Sequence, residues 1–284
     1  MINVFLATFV WDPDRVAFVI PGFNHGITWY GILFALAFLG AYFFVRYLFF
    51  LLLLQKKEDV SKSTLLADRL TLLVALGTLV GARLGHVFFY DWPYYQAHPG
   101  EIFKVWQGGL ASHGSALGIL VAIAIFVGWV RRRYPFITYL FVLDALMIPT
   151  AFAGGCIRIG NFINQEILGT PTTLPWGVIF LHPVEGIAAV PLHPVQLYEA
   201  LFYFCTALFL FILWKRDQSR MGSGFFAGLF FILVFVFRFC IEFIKLPQSQ
   251  LIDESFLQIG QWLSLPLVLF GIVLLIYSYK RRPV

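Results

Sequence analysis

The sequence predicts an all-α integral membrane protein: seven transmembrane helices, the N-terminus outside and the C-terminus cytoplasmic, with a small irregular periplasmic head and an interfacial arm. Three observations carry this. Hydrophobic residues make up 60% of the 284-residue chain and charged residues only 12%, where soluble domains run at about half apolar and a quarter charged. Apolar runs recur from Tyr30 to Tyr279 instead of forming one block, and aromatic residues reach 19%. The basic residues gather in short groups after alternate runs. Disorder, collagen and a soluble α/β enzyme are excluded by the same figures.

A spanning helix needs about 20 mostly apolar residues, so seven would use about half of the chain. Apolar runs broken by charge and Pro/Gly clusters place spans at residues 28–54, 69–90, 109–130, 136–156, 194–214, 223–244 and 260–279. Lys56, Lys57 and Lys62 follow the first run, Arg131 to Arg133 the third, Lys215, Arg216 and Arg220 the fifth, and Lys280 to Arg282 the seventh. The opposite side holds Arg15, Lys104, Arg158 and Lys245. The positive-inside rule therefore sets the orientation, and the net charge of +5 is topological. Short basic clusters at helix ends make no patch for nucleic acid. Residues 1–15 carry no basic start and no small-residue cleavage pattern, so they do not read as a cleaved signal peptide.

Between spans, residues 91–108 are rich in aromatics and suit an arm at the membrane interface. Residues 169–192 carry Pro171, Pro175, Pro183 and Pro191, with Pro194 just beyond, and read as the irregular head. No internal repeat stands out, so residues 1–284 form one membrane domain. Cys156, Cys205 and Cys240 lack the spacing of a disulfide framework or zinc site and read as packing residues.

Arg46 and Arg69 lie near cytoplasmic ends, where a long side chain snorkels to the headgroups. Arg83 and Arg238 are deeper, and a guanidinium there needs an anion or water, which makes both functional candidates. Glu242, four residues after Arg238, offers a structural ion pair as the alternative.

Four polar clusters remain. Residues 158–166 collect Arg158, Asn161, Asn164, Gln165 and Glu166. If helical, Arg158, Asn161 and Gln165 share a face and converge on a phosphate; the plainer alternative is a solvated helix end. Residues 108–115 place His113 among glycines, either as a neutral base for a thiol or hydroxyl or as a packing residue. His193, Gln196 and Glu199 open the fifth span, and Glu199 lies deep enough to require a cation, with Arg238 and Arg83 as candidates. Thr28 to Gly31 open the first span, where aromatic-belt anchoring competes with a site role. The pattern around Ser112 lacks the first glycine of a serine-hydrolase elbow.

The stretch RIGNFINQEILG at 158–169 closely resembles the signature of bacterial prolipoprotein diacylglyceryl transferases, G-R-x-G-N-F-apolar-N-x-E-x-x-G. TWYG at 28–31, GARLGHVFFYD at 81–91, VWQGGLASHG at 105–114, HPVQLYE at 193–199 and FRFCIEFIK at 237–245 follow in the family's order. Ile157 stands where the family has a leading glycine, and Ser115 where a second glycine is common.

The resemblance implies a multi-pass enzyme of the bacterial inner membrane. It would move the sn-1,2-diacylglyceryl group of phosphatidylglycerol to the lipobox cysteine of a preprolipoprotein signal peptide, leaving a thioether and glycerol phosphate. It implies membrane lipids as surroundings, and no cofactor, metal or nucleic acid. The expected catalytic residues are His113, Arg158, Arg238 and Tyr30. Asn161, Glu166, Glu242, Gly114 and Gly169 are expected at the headgroup and backbone of the site, joined by His193, Gln196, Glu199 and Arg83 as substrate-binding candidates. The thiol proton goes either to His113 or to an arginine-bound water. A transporter is disfavoured by the lack of paired, broken repeats, and an inactive lipid-binding descendant is favoured only by Ile157 and Ser115.

Overall fold

The computed structural model describes residues 9–21, 26–105, 108–109, 111–186, 189–246 and 257–280. Among the described residues eight α-helices run in order: α1 (Trp29–Gln55), α2 (Lys62–Phe89), α3 (Trp92–Ala97), α4 (Ser112–Val130), α5 (Tyr139–Asn164), α6 (Val195–Arg216), α7 (Phe225–Ile241) and α8 (Ile259–Lys280). Six are long and apolar enough to cross a membrane: α1, α2, α5, α6, α8, and α7 with the turn that follows it. The apolar α4 is shorter, at 19 residues. Exposed leucines such as Leu72, Leu117, Leu201 and Leu269 stud these helices. An apolar outer surface suits lipid, and closing every backbone hydrogen bond within a helix suits it equally.

The chain divides into two compact units, residues 42–145 and residues 1–41 with 146–284. In the first, α2 and α4 meet through glycines. Gly77, Gly81 and Gly85, one per turn of α2, face Gly114 and Gly118 of α4. A Cβ on Gly81 would strike the Gly114 carbonyl, and one on Gly85 would lie 2.7 Å from the Gly114 Cα. Lipid tails give apolar helices no solvent-driven reason to associate, so backbone-to-backbone packing has to supply it. The arm begins as α3 and continues as a 3₁₀ turn over Pro99–Phe103.

In the second unit, α7 and α8 pair through Gly228 and Gly271. The head is more regular than its prolines predict. Strand β4 (Val178–Phe180) pairs in parallel with β1 (Phe9–Trp11), in the register Phe9↔Val178 and Trp11↔Phe180. A second pair, β2 (Val16–Phe18) with β3 (Ile27–Thr28), leads into α1. Beneath the head lies a small core of Phe162, Leu168, Val178, Phe180 and Leu192. Trp11 stacks on Phe162 at 4.6 Å and donates its indole N–H to the Phe162 carbonyl at 3.0 Å.

Two helix boundaries differ from the sequence reading by seven or eight residues. Helix α2 starts seven residues early, because Leu66, Ala67 and Leu70 are buried and the adjacent Asp68 and Arg69 stay on its exposed side. Helix α5 continues past Cys156 to Asn164, so the polar run is helical. Gly81→Ala is expected to push α2 from α4 at a cost of about 1–3 kcal/mol, read as a lower thermal midpoint in detergent. Gly128→Ala, in open space, should stay within about 0.5 kcal/mol of wild type. Equal midpoints for the two would refute the glycine contact.

Candidate functional site

The end of α5 builds the first half of the site. Arg158 and Asn161 lie one turn apart, and Arg158 Nη1 donates to Asn161 Oδ1 at 3.1 Å. The helix then closes in a Schellman turn: Gln165 N–H bonds to the Phe162 carbonyl and Glu166 N–H to the Asn161 carbonyl at 3.1 Å. This folds Glu166 back over the helix end, where it accepts from Asn161 Nδ2 at 2.6 Å and Asn164 Nδ2 at 3.3 Å. Gln165 does not join the Arg158 face. With φ of 54° it turns away, and its amide oxygen accepts the His182 N–H at 2.7 Å.

Ile167 also holds a left-handed φ, 60°, which a β-branched residue adopts only under constraint. Glu185 accepts its N–H at 2.7 Å, and Leu168 is buried beside it. Two such residues in one turn represent about 1–3 kcal/mol each of backbone strain, of the kind that accumulates at functional sites. Tyr30 sits in the first turn of α1, where Thr28 Oγ1 accepts the Gly31 N–H at 3.1 Å. Its ring lies flat on Gly160, where a Cβ would come within 2.6 Å of the ring carbon Cδ2.

The second half comes from α6 and α7. Gln196 and Glu199, one turn apart, are fully buried. Gln196 Nε2 donates to the Glu166 carbonyl at 2.8 Å, tying α6 to the turn after α5. Glu199 is the hub. Lys245 Nζ donates to its Oε1 at 2.9 Å, Tyr203 OH donates to the same oxygen at 3.3 Å, and Arg238 Nη1 lies 3.7 Å from it. Arg158 Nε approaches Oε2 at 3.0 Å, off the hydrogen-bond direction, so that oxygen keeps a charge contact without a directed bond. A lone buried carboxylate costs several kcal/mol, and three cations answer it here.

Glu242, on the 3₁₀ turn after α7, pairs with Lys245 at 3.7 Å, and its carboxylate lies against Gly260 of α8. Gly169 is bridged to the backbone of Lys245 and packs on the His193 carbonyl. The His193 ring lies 3.4 Å from Tyr198 OH, which accepts the Trp176 indole N–H at 2.7 Å.

In the unit of residues 42–145, Arg83 is buried and devoted to the arm. Its Nε donates to the Ile102 carbonyl at 2.8 Å, Nη2 to Glu101 at 2.6 Å, and Nη1 to Gly108 at 2.7 Å and Gly109 at 3.3 Å. The guanidinium also lies over the Tyr95 ring at 5.0 Å. Lys104 and Tyr94 hydrogen-bond the Glu101 side chain and hold its carboxyl below the ordinary carboxylate range. Gly114 forms part of the α2 contact, and His113 occupies the first turn of α4. The His113 side chain, with Trp106, Gln107 and Leu110 of its motif, lies outside the described residues.

The profile of the family described as prolipoprotein diacylglyceryl transferase matches residues 15–277. The chain belongs to that family. It is 43% identical over 272 residues to the phosphatidylglycerol–prolipoprotein diacylglyceryl transferase of Tolumonas auensis, covering 96% of this chain and 98% of that one. The protein of the same name from Porphyromonas gingivalis is also 43% identical, over 97% of this chain and 96% of its own length. A third, from Protochlamydia amoebophila, is 50% identical over 75% of this chain, a match that spans 57% of the relative.

For this diacylglyceryl transferase family member, one site residue escaped the sequence reading. Lys245 read as a helix-edge cation, yet it donates the shortest hydrogen bond that Glu199 accepts. Its spacing three residues after Glu242 on a single turn was the available signal. Of the two candidate partners of Glu199, Arg238 stands beside it, joined by Arg158, while Arg83 is engaged by the arm. Arg83→Lys is expected to lose the planar fork that four carbonyls share. Hydrogen exchange over residues 99–105 should accelerate, and tryptic cleavage after Lys104 should become faster; unchanged protection would refute the clamp.

Proposed function

We propose that this protein transfers the sn-1,2-diacylglyceryl group of phosphatidylglycerol to the lipobox cysteine of preprolipoprotein signal peptides in the bacterial inner membrane. It does so with all seven apolar helices spanning, the N-terminus outside and the C-terminus cytoplasmic. The orientation rests on the basic groups that follow α1, α4, α6 and α8. The observation that carries the reaction is the cation cluster on Glu199. Arg158 and Arg238 are partly exposed there, within a family whose full-length relatives bear the transferase name.

In the reaction the cysteine gives up its thiol proton, and the thiolate attacks the glycerol carbon that bears the phosphate. The new C–S bond forms as the C–O bond breaks, and the electron pair leaves on glycerol phosphate. Arg158 and Arg238 hold that phosphate, which gains charge as the bond breaks and is stabilised by fixed cations in a low-dielectric site. Tyr30, Asn161 and Glu166 shape the headgroup side, and the Glu166 carboxylate, held by two amides, accepts from headgroup hydroxyls. His113 takes the thiol proton. Glu242 and Glu199 fix the cations, while Gly169, His193 and Gln196 hold the turn and the start of α6 in place. Arg83 shapes the arm.

Purified protein in detergent, given phosphatidylglycerol and a lipobox peptide, is expected to add a diacylglyceryl mass to the peptide and release glycerol phosphate. Arg158→Ala and Arg238→Ala should each reduce kcat by about 10²–10³, and His113→Gln by about 10² or more. A folded wild type that binds phosphatidylglycerol yet makes no product would instead identify a lipid-binding protein without activity. Near-normal turnover by His113→Gln would move the base to an arginine-bound water.

A further inference from the structure

We infer that Lys245 is a positioning residue for the phosphate site: it takes the directed bond to Glu199, and thereby leaves the one excess positive charge of the cluster on the Arg158 and Arg238 side for the anion. This rests on the transferase reading. Arg158, Arg238, Lys245, Glu199 and Glu242 form one ion cluster, in which three cations face two carboxylates. The excess charge is directed by exposure. Side-chain exposure is 0% for Glu199 and 2% for Lys245, but 12% for Arg158 and 29% for Arg238. Lys245 is therefore buried with the carboxylate, while both arginines keep an exposed part.

The bonding geometry makes the same division. Of the three cations, Lys245 forms the directed hydrogen bond to Glu199, at 2.9 Å. Arg238 stands at 3.7 Å, beyond hydrogen-bond length, and Arg158 approaches off-axis. The Arg158 fork is divided, with Nε beside Glu199 at 3.0 Å and Nη1 bonded to Asn161. The lysine is delivered by fixed backbone. Leu246 N–H bonds to the Leu168 carbonyl at 3.0 Å and Thr170 N–H to the Ile244 carbonyl at 2.9 Å, clamping Lys245 against the turn after α5.

Without the ammonium, Glu199 would draw both arginines inward, and the phosphate would compete with a buried carboxylate for them. The test is steady-state kinetics of purified full-length protein with phosphatidylglycerol and a lipobox peptide. Lys245→Met should raise KM for phosphatidylglycerol about tenfold while kcat falls less than about threefold, and Lys245→Arg should restore most of the KM. In a Glu199→Gln background the neutral amide no longer attracts the arginines, so adding Lys245→Met should change KM by less than about twofold. An unchanged KM in Lys245→Met, a loss confined to kcat, or an equal KM rise in both backgrounds would overturn the proposal.

If Lys245→Met does not fold, the Glu199→Gln/Lys245→Met pair, which leaves neither member of that ion pair as a lone buried charge, carries the test. Saturable turnover with KM within about tenfold of wild type supports the assignment, and a folded pair that does not saturate overturns it. Absence of product from wild type would refute the transferase reading instead. Binding of phosphatidylglycerol vesicles to the same variants, expected in the same order as the KM values, would then decide the charge partition.

Discussion

A carboxylate with no exposed surface, in a helix apolar enough to cross a bilayer, has to be neutralised by the protein itself. Glu199 imposes that condition, and much of its unit is arranged to meet it. The cations come from three places in the chain: Arg158 from the end of α5, Arg238 from α7 and Lys245 from just past the turn after α7. Satisfying one anion therefore fixes three chain segments against α6. In water the same ion pairs would contribute little. In a low-dielectric interior their geometry becomes a constraint on the fold, because each cation withdrawn leaves the buried carboxylate less compensated.

Glycine meets the complementary demand, close approach of one group to another. In the unit of residues 42–145 glycines bring two helix backbones together, where apolar side chains have no preference for each other over lipid. In the other unit they both pair helices, as Gly228 and Gly271 do, and make room for single groups: Gly160 admits the Tyr30 ring, Gly260 the Glu242 carboxylate and Gly169 the carbonyl of His193. What the missing Cβ would strike, a neighbouring helix backbone or one side chain or carbonyl, separates the two uses.

The helices were legible in the sequence because a span must be apolar along its whole length, and all seven apolar runs fall on helices. The polar cluster at 158–166 was legible as a candidate site because such residues are costly at a membrane edge. Its detail was not. The Schellman turn that brings Glu166 back and turns Gln165 away depends on a left-handed Gln165, and a second left-handed residue, Ile167, follows it; neither type gives warning of this. The Lys245 contact to Glu199 was obscured because the two lie 46 positions apart, and local spacing pointed only to Glu242. The glycine contact was visible in principle as the four-residue repeat of Gly77, Gly81 and Gly85, and the strand at 178–180 was hidden by the prolines around it.

The parallel pairing of β1 with β4 also has a meaning in time. Phe9 leaves the ribosome early, and Val178, its partner in the register, follows about 170 residues later, an interval of about 10–30 s at ordinary elongation rates. Through that interval α1, α2, α4 and α5 are made while the first strand has no mate, with Phe9 and Val10 apolar and more than half exposed even once paired. The first strand is thus among the last parts to settle. Closure of the head waits on the helices in between: its small core under Trp11 forms only after α1, α2, α4 and α5 have been synthesised.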